Sequence, residues 1–309
     1  MLDRREMNAK IFEDTEKMYK SHKVLKEAVA ESIREQKLIC DYEEVEVKPI
    51  AKINFTEEEY IECKKRMGAI AKIDDEEETD DVKIIVSGKR TLEAAESYAK
   101  QGKKVCILNF ASATNPGGGV RNGSSAQEEA ICRCSTLYPC LNTKQMWEGF
   151  YSPHRNAHNP LYNNDCIYTP NVKVFKSDIN FPEAMPENEW WDVNVITCAA
   201  PNLREVPSNR MNPYAGDKKA EISLEDLRQL LRSRVERIFQ VALANGADVL
   251  ILGAFGCGAF RNPPRLVAEV FKEYTDRYGK FFDVIEYAVF HTEREKGNYE
   301  AFREVMEGK

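Results

Sequence analysis

The chain has 309 residues, of which 42% are hydrophobic and 31% are charged, a composition typical of a globular protein with a substantial core. Its formal net charge of −7 disfavours non-specific binding to nucleic acid, and no apolar run approaches the ~18 residues that a membrane span needs. The charged N-terminus lacks the apolar stretch of a secretory signal, and the nine scattered cysteines form no C-x-x-C pair, which together predict a cytoplasmic protein without a disulfide framework.

The first 81 residues are predicted to form a helical extension that packs on a larger core. Apolar positions recur at helical spacing between residues 4 and 36, which predicts two amphipathic helices. Segment 56–70 predicts a further short helix. The run Asp74–Asp81 has seven acids in eight residues and predicts a solvated loop that ends the extension.

From Val82 onward, strand patterns alternate with helix patterns. This alternation predicts an α/β core over residues 82–309, with a mixed, largely parallel sheet covered by helices on both faces. The predicted strands are 82–88, 104–110, 191–201, 248–255 and 281–290, and the predicted helices are 91–102, 125–138, 223–246, 263–279 and 298–306. Because ligands bind at the carboxyl ends of parallel strands, the loops after 104–110 and 248–255 are expected to border one cleft.

Both of these loops are rich in glycine. Consecutive glycines let the backbone adopt positive φ and direct several N–H groups at one oxygen cluster, and a following helix adds its N-terminal dipole. Neither loop continues into the Gly-Lys-Ser/Thr of a Walker motif. Either loop alone would indicate only a flexible surface turn, whereas the two together predict a diphosphate site. The first contains Gly117, Gly118 and Gly119, and the second contains Gly256, Cys257, Gly258, Ala259 and Phe260.

Two adjacent acids begin the helix after the first loop. Segment 125–128 reads S-A-Q-E, a capping box in which the Glu128 carboxylate would accept from the N–H of Ser125. Glu129 lies outside the apolar stripe of the helix, so its carboxyl is expected at the edge of the cleft. A carboxyl beside a diphosphate suits glycosidic cleavage, which needs one acid to protonate the departing oxygen. Because a helix N-terminus stabilises the carboxylate, the acid is expected to become competent when substrate phosphate raises its pKa.

The spacing of these motifs, GGG followed after seven residues by QEE, resembles the signature of the poly(ADP-ribose) glycohydrolases, in particular their shorter bacterial-type branch built on a macrodomain. LNFASATNPGGG, YTPNVKVFK and LGAFGCGAFRNPP resemble segments of that branch, and the resemblance extends from about residue 4 to the C-terminus. It implies a three-layer αβα macrodomain as catalytic core. It also implies hydrolysis of the ribose–ribose bonds of poly(ADP-ribose) on ADP-ribosylated proteins, mainly from chain ends, with ADP-ribose as product and no cofactor or metal.

The resemblance further implies roles for individual residues. Glu129 matches the general acid and base, and Glu128 matches the neighbouring acid that holds a ribose hydroxyl. The two glycine-rich loops would flank the diphosphate, with the Phe260 ring packed against the terminal ribose. The remaining candidates for substrate binding are Asn109, Asn115 and Gln127.

Two alternatives remain compatible with the sequence. A mono-ADP-ribosyl hydrolase would remove single units from protein or nucleic acid, and a non-catalytic macrodomain would bind ADP-ribose without chemistry. The two adjacent acids favour an enzyme, because a binding module has no use for a proton donor. His154 and His158 are four residues apart, but Pro153 and Pro160 argue against the helix that would direct both rings at one metal, so no metal site is predicted.

Overall fold

The computed structural model describes residues 3–40, 82–209 and 212–308. Two helices, α1 (Arg4–Ser21) and α2 (Lys23–Glu35), open the chain where the apolar spacing predicts them. The predicted helix at 56–70, the acidic run at 74–81 and the boundary at residue 81 all lie outside the described residues. The division into an extension and a core therefore stays a prediction.

Within the described residues, seven strands form one mixed sheet in the spatial order β1-β4-β5-β3-β6-β7-β2. The neighbours from β5 to β2 pair in parallel, while β4 pairs antiparallel with both β1 and β5. The largely parallel sheet is therefore confirmed, although the alternating pattern predicts neither β1 nor β4. The strands are β1 (Lys37–Ile39), β2 (Lys83–Ser87), β3 (Val105–Phe110), β4 (Cys166–Val174), β5 (Trp191–Cys198), β6 (Val249–Leu252) and β7 (Val284–Ala288).

Eight further helices follow α2 in the described part of the chain, and no described helix is both long and apolar enough to cross a membrane. A π-helical turn, Trp147–Tyr151, joins α6 to α7. The helices are α3 (Thr91–Lys100), α4 (Gln127–Cys134), α5 (Leu137–Leu141), α6 (Lys144–Met146), α7 (Ser152–Ala157), α8 (Leu224–Ala244), α9 (Pro264–Tyr278) and α10 (Gly297–Glu307).

The prediction of one helix over 125–138 is wrong, because the chain leaves the helical conformation at Ser135. That residue has extended φ and ψ of −144° and 176° and forms an isolated bridge with Val174. On either side of it, Thr136 N–H donates to Lys173 O at 2.9 Å and Phe175 N–H donates to Cys134 O at 3.0 Å. Bonds to the distant strand β4 thus end α4 early.

Alternate residues of the central strands face two separate hydrophobic cores. In β3, Cys106 and Leu108 pack with α8, α9 and α10, whereas Val105 and Ile107 pack with the layer that contains α1 to α5. These four side chains are each at most 2% exposed. The period-two alternation of a strand thus produces the three-layer αβα arrangement that the resemblance implies.

Candidate active site

The carboxyl ends of β3, β6 and β7 open into a cavity of about 780 Å³. Segment 110–130, which runs from the end of β3 into α4, forms one wall, and segment 254–260 after β6 forms another. The two glycine-rich loops therefore border the same cavity, as their position after parallel strands predicts.

Glu129 lies in the first turn of α4 and lines this cavity. Its side chain is only 7% exposed, and its Oε1 accepts a hydrogen bond from the Gly119 N–H at 2.9 Å. Its Oε2 is buried and has no hydrogen-bond partner among the described residues. Since buried polar atoms are almost always paired, an unpaired carboxyl oxygen in the wall of a cavity calls for a functional explanation.

Burial raises the pKa of Glu129 above the usual 4.5. The hydrogen bond from the Gly119 N–H opposes this shift, as do the nearby N–H groups of Glu129 itself and of the N-cap Ala126 and the charge of Arg133. The sequence suggested that the helix N-terminus keeps this carboxyl ionised until substrate arrives. Burial outweighs that effect, so the carboxyl already holds its proton more tightly than an exposed glutamate does when no substrate is bound.

Glu128 points back toward the end of β3. Its Oε2 accepts from the Ser112 N–H at 2.8 Å and its Oε1 accepts from Asn109 Nδ2 at 3.4 Å. The predicted capping box is wrong, because α4 has Ala126 and not Ser125 as its N-cap, which makes Glu128 the second helical residue and not the third. Burial, followed by the charge of Glu129, raises the pKa of Glu128 well above 4.5.

We expect this pair of acids to make folding depend on pH. A carboxyl whose pKa is higher in the folded protein stabilises the fold fully below the unfolded value of 4.5, and that stability is lost as pH rises through the folded pKa. Denaturant unfolding of wild type and Glu128→Gln between pH 4 and pH 8, a range of about four units, measures the effect. The variant should lose less stability over this range, and identical losses in both proteins would contradict the shift.

Gln127 uses all of its amide groups within the protein. Its Oε1 accepts from the Phe110 N–H at 2.8 Å, and its Nε2 donates to Leu108 O at 2.7 Å and to Thr91 Oγ1 at 3.0 Å. These bonds tie the start of α4 to the end of β3 and to α3. Gln127 therefore fixes the position of the two acids that follow it, and its amide has no free donor for substrate.

Asn109 and Gly117, two other predicted binding residues, lie behind the cavity wall. Asn109 is fully buried, and its Nδ2 donates to Thr197 Oγ1 at 3.2 Å as well as to Glu128. It therefore holds the Glu128 carboxyl from the core side. Gly117 faces the core, where an added Cβ would lie 2.7 Å from Cδ2 of Tyr138. Sequence spacing identifies such supporting residues but does not distinguish them from those that face a ligand.

Cys257 likewise points away from the cavity. Its Sγ lies 3.6 Å from Phe255 O, and burial raises the pKa of the thiol. Asn115, by contrast, lines the cavity, and its side-chain oxygen accepts from the Arg155 guanidinium. Phe260 also lines it, with its ring packed 6.1 Å from that of Tyr162.

The backbone donors of the two loops have different uses. In the first loop, the N–H groups of Gly117 and Gly119 donate to Glu128 and Glu129, and that of Gly118 donates to Asn115 O at 3.0 Å. The expectation that these donors point at a diphosphate is therefore wrong, since two of them are occupied by the acids and the third by Asn115 O. In the second loop, the N–H groups of residues 258–260 have no acceptor among the described residues.

Gly118 has a φ of +56° and brings the first loop into contact with both acids. A Cβ at this position would lie 2.6 Å from Glu129 Oε1 and 3.2 Å from Glu128 Oε2. Only glycine allows both the left-handed backbone and this approach. The conformation of the first loop and the orientation of the two carboxyls are thus set together.

The cavity contains residues that the sequence reasoning missed. The predicted strand 281–290 ends at Ala288, so Phe290 lies beyond the sheet edge, where its ring is 49% exposed in the cavity. The Arg90 guanidinium lies 4.0 Å from the centroid of this ring and donates to Asn180 Oδ1 at 2.7 Å. The position of Phe290 at the carboxyl end of a parallel strand was the available signal.

Within the ranges that the structure describes, no group of three or more His, Cys, Asp or Glu side chains could hold a metal ion. Contrary to the proline argument, Ser152–Ala157 is helical, because Pro153 lies in the first turn, where proline is tolerated. The His154 ring bonds to Phe150 O at 2.7 Å and Asn163 Oδ1 at 2.8 Å, and His158 Nδ1 lies 3.0 Å from Asp217 Oδ1.

Residues 10–177, more than half of the chain, match a family described as "Microbial-type PARG, catalytic domain", where PARG denotes poly(ADP-ribose) glycohydrolase. The chain belongs to this family. This microbial-type PARG is a glycosidase that acts on poly(ADP-ribose), which sets aside the non-catalytic alternative. No curated protein matches the chain.

Solved structures of bacterial PARGs cover nearly all of this chain. PARG from Thermomonospora curvata bound to the inhibitor ADP-HPD is 27% identical, with 96% of this chain and 98% of that chain covered and a TM-score of 0.72. A second structure of the Thermomonospora protein is 27% identical, covers 97% and 100%, and has a TM-score of 0.73. PARG from Deinococcus radiodurans in complex with ADP-ribose is 29% identical, covers 91% and 97%, and has a TM-score of 0.68. These structural similarities confirm the macrodomain-like α/β fold.

Proposed function

We propose that Glu129 is the general acid and base with which this microbial-type PARG hydrolyses the ribose–ribose bond. The observation that carries the proposal is the arrangement of its carboxyl, with one oxygen held by the Gly119 N–H and the other buried in the cavity wall without a partner. Burial also favours the protonated form. A positioned carboxyl with a raised pKa in the wall of a cavity is what protonation of a departing sugar oxygen requires.

In the proposed reaction, Glu129 gives its proton to the departing ribose oxygen as the glycosidic C–O bond breaks. The remaining ribose carbon passes through an oxocarbenium-like state, and the Glu129 carboxylate then takes a proton from the attacking water. Glu128 holds a hydroxyl of the bound ribose. A carboxylate has about four acceptor sites, so the bonds from Ser112, Asn109 and Gly117 leave capacity for that hydroxyl.

We place the diphosphate of the substrate at the second loop. The free N–H groups of Gly258, Ala259 and Phe260 are donors for its oxygens, while Gly118 and Gly119 form the opposite wall. Arg204 also lines the cavity, and its buried Nε has no hydrogen-bond partner among the described residues. Its guanidinium supplies a positive charge for the phosphates.

We place the adenine ring of the substrate against the Phe290 ring. One face of this half-exposed ring is covered by Arg90, which leaves the other face for stacking against a base. The Deinococcus relative is bound to ADP-ribose, which supports ADP-ribose as the product that occupies this cavity. ADP-ribosylated proteins are the proposed carriers of the polymer.

We expect release of free ADP-ribose from chain ends and not cleavage inside the chain. Phe260, whose ring packs against Tyr162, and the first glycine loop both line the cavity, and we expect them to enclose the last ribose and to leave a continuing chain no exit there. A net charge of −7 also disfavours tracking along a polyanion. Labelled poly(ADP-ribose) is incubated with the protein and the products are separated over time. Monomeric ADP-ribose should dominate from the first minutes, and early oligomers as the main product would show that the cavity is open at the far end.

A further inference from the structure

The cavity extends beyond Glu129 to the first turn of α1. Arg4, Arg5 and Asn8 line it together with Ser124, although more than a hundred residues separate α1 from this loop in sequence. None of these three α1 residues has a part in the proposed placement of ADP-ribose. Their presence on the cavity wall therefore needs a separate explanation.

The first turn of α1 is fixed against the loop that leads into α4. The buried Asn8 donates through Nδ2 to Gly123 O at 3.2 Å, and Arg5 Nε donates to Asn122 O at 3.0 Å. Gly123 has a φ of +72°, and a Cβ there would lie only 1.8 Å from Arg5 O. Only glycine fits at position 123 in this contact, so the first turn of α1 and its two arginines have a fixed position relative to the loop.

A continuous wall connects the acid to these arginines. The Gly119 N–H bonds to Glu129, and a Cβ on Gly119 would lie 2.3 Å from Ser124 Oγ. Ser124 is followed along this wall by Gly123 and then by Arg5. A group that leaves Glu129 along this wall therefore reaches the first turn of α1.

Neither arginine forms an ion pair with a described residue. Arg4 is exposed and makes no hydrogen bond or ion pair with any described residue, and Arg5 uses only its Nε. The acids that flank the two arginines in sequence, Asp3 and Glu6, accept from each other's backbone N–H groups in the capping box of α1. In a chain of net charge −7, two guanidinium groups on a cavity wall that form no ion pair with a described residue indicate an anionic ligand.

We propose that Arg4 and Arg5 bind the diphosphate of the polymer unit on the departing side of the scissile bond. This inference rests on the proposed function, because it assumes that Glu129 protonates the oxygen of that departing unit. The diphosphate of the departing unit is one ribose away from that oxygen, and a guanidinium fork binds phosphate through paired hydrogen bonds. The substrate is thus recognised on both sides of the bond, and α1 supplies the second side.

The test compares two substrates that differ only in the departing group. One is poly(ADP-ribose), and the other is an aryl glycoside of ADP-ribose whose departing group is an uncharged phenol. In Arg4→Ala, the ratio of kcat/KM for polymer to kcat/KM for the glycoside should fall about fivefold, and in the double variant Arg4→Ala with Arg5→Ala by more than about tenfold. The salt dependence of polymer cleavage should also weaken, with a log–log slope shallower by about 1 per arginine.

Two controls separate charge from structure. Arg34→Ala removes an exposed arginine of α2 outside the cavity and should leave the ratio unchanged. The double variant Arg4→Lys with Arg5→Lys keeps both charges and should recover most of the ratio. An unchanged ratio in the double alanine variant, or a weaker Kd for free ADP-ribose with parallel losses on both substrates, would overturn the proposal. Full turnover of the polymer by Glu129→Gln would instead overturn the proposed function on which it rests.

Discussion

Replacing Glu129 with glutamine is expected to lower kcat for poly(ADP-ribose) by about 10²- to 10⁴-fold. The amide has nearly the same shape as the carboxyl, and it can still accept from the Gly119 N–H, so the loop and the cavity keep their form. It cannot give a proton to the departing oxygen. Calorimetric titration with ADP-ribose should therefore show binding close to that of the wild-type protein.

Two comparisons make this expectation specific. Glu27→Gln changes a mostly exposed acid of α2 and should have wild-type activity. Glu128→Gln should lose less than Glu129→Gln, because a hydrogen-bond acceptor for the ribose hydroxyl remains. If Glu129→Gln keeps most of its turnover, the acid is another group and the role given to Glu129 is wrong.

Gly118→Ala is expected to lower kcat by about 100-fold, because a misplacement of reacting groups by 1 Å has an effect of that order. The added methyl would overlap Glu129 Oε1, at 2.6 Å, so the carboxyl or the loop must move. The positive φ adds a destabilisation of about 1–2 kcal/mol. Steady-state kinetics and denaturant unfolding of the purified variant separate the loss of activity from the loss of stability.

Gly102→Ala is the matched control for this variant. Gly102 also has a positive φ, of +79°, but an added Cβ would meet nothing within 4 Å, and the residue lies just after α3, outside the cavity. It should lose only the part of the stability that the positive φ accounts for, about 1–2 kcal/mol, and keep wild-type kcat. Nearly full activity in Gly118→Ala would mean that the approach of the loop does not set the position of the acid.

The sequence predicts those parts of the fold and site that depend on local pattern. The parallel strands and both glycine-rich loops follow from hydropathy and glycine runs, because those patterns act within a few residues. The strand β1 is only three residues long, and α4 ends at Ser135 through bonds to the distant β4, so local periodicity has no signal for either.

The sequence did not predict the direction in which individual side chains and N–H groups of the site point. Gln127 and the N–H groups of Gly117 and Gly119 are near the cavity as predicted, yet they bind the protein itself and hold the two acids in place. Arg4 reaches the cavity only because α1 packs against residues 122 and 123, a contact between distant segments. Such long-range packing also buries Glu129 and so reverses the expected effect of the helix N-terminus on its pKa.

The proton-donor role of Glu129 is tested most directly by changing the departing group. The ratio of wild-type kcat to Glu129→Gln kcat is measured on poly(ADP-ribose), whose departing ribose oxygen needs a proton, and on an ADP-ribose glycoside of 4-nitrophenol, which leaves readily as an anion. We predict a loss of about 10²- to 10⁴-fold on the polymer and a loss at least about tenfold smaller on the nitrophenyl glycoside. Equal losses on both substrates would contradict general acid catalysis by Glu129 and would show that its carboxyl only positions the substrate.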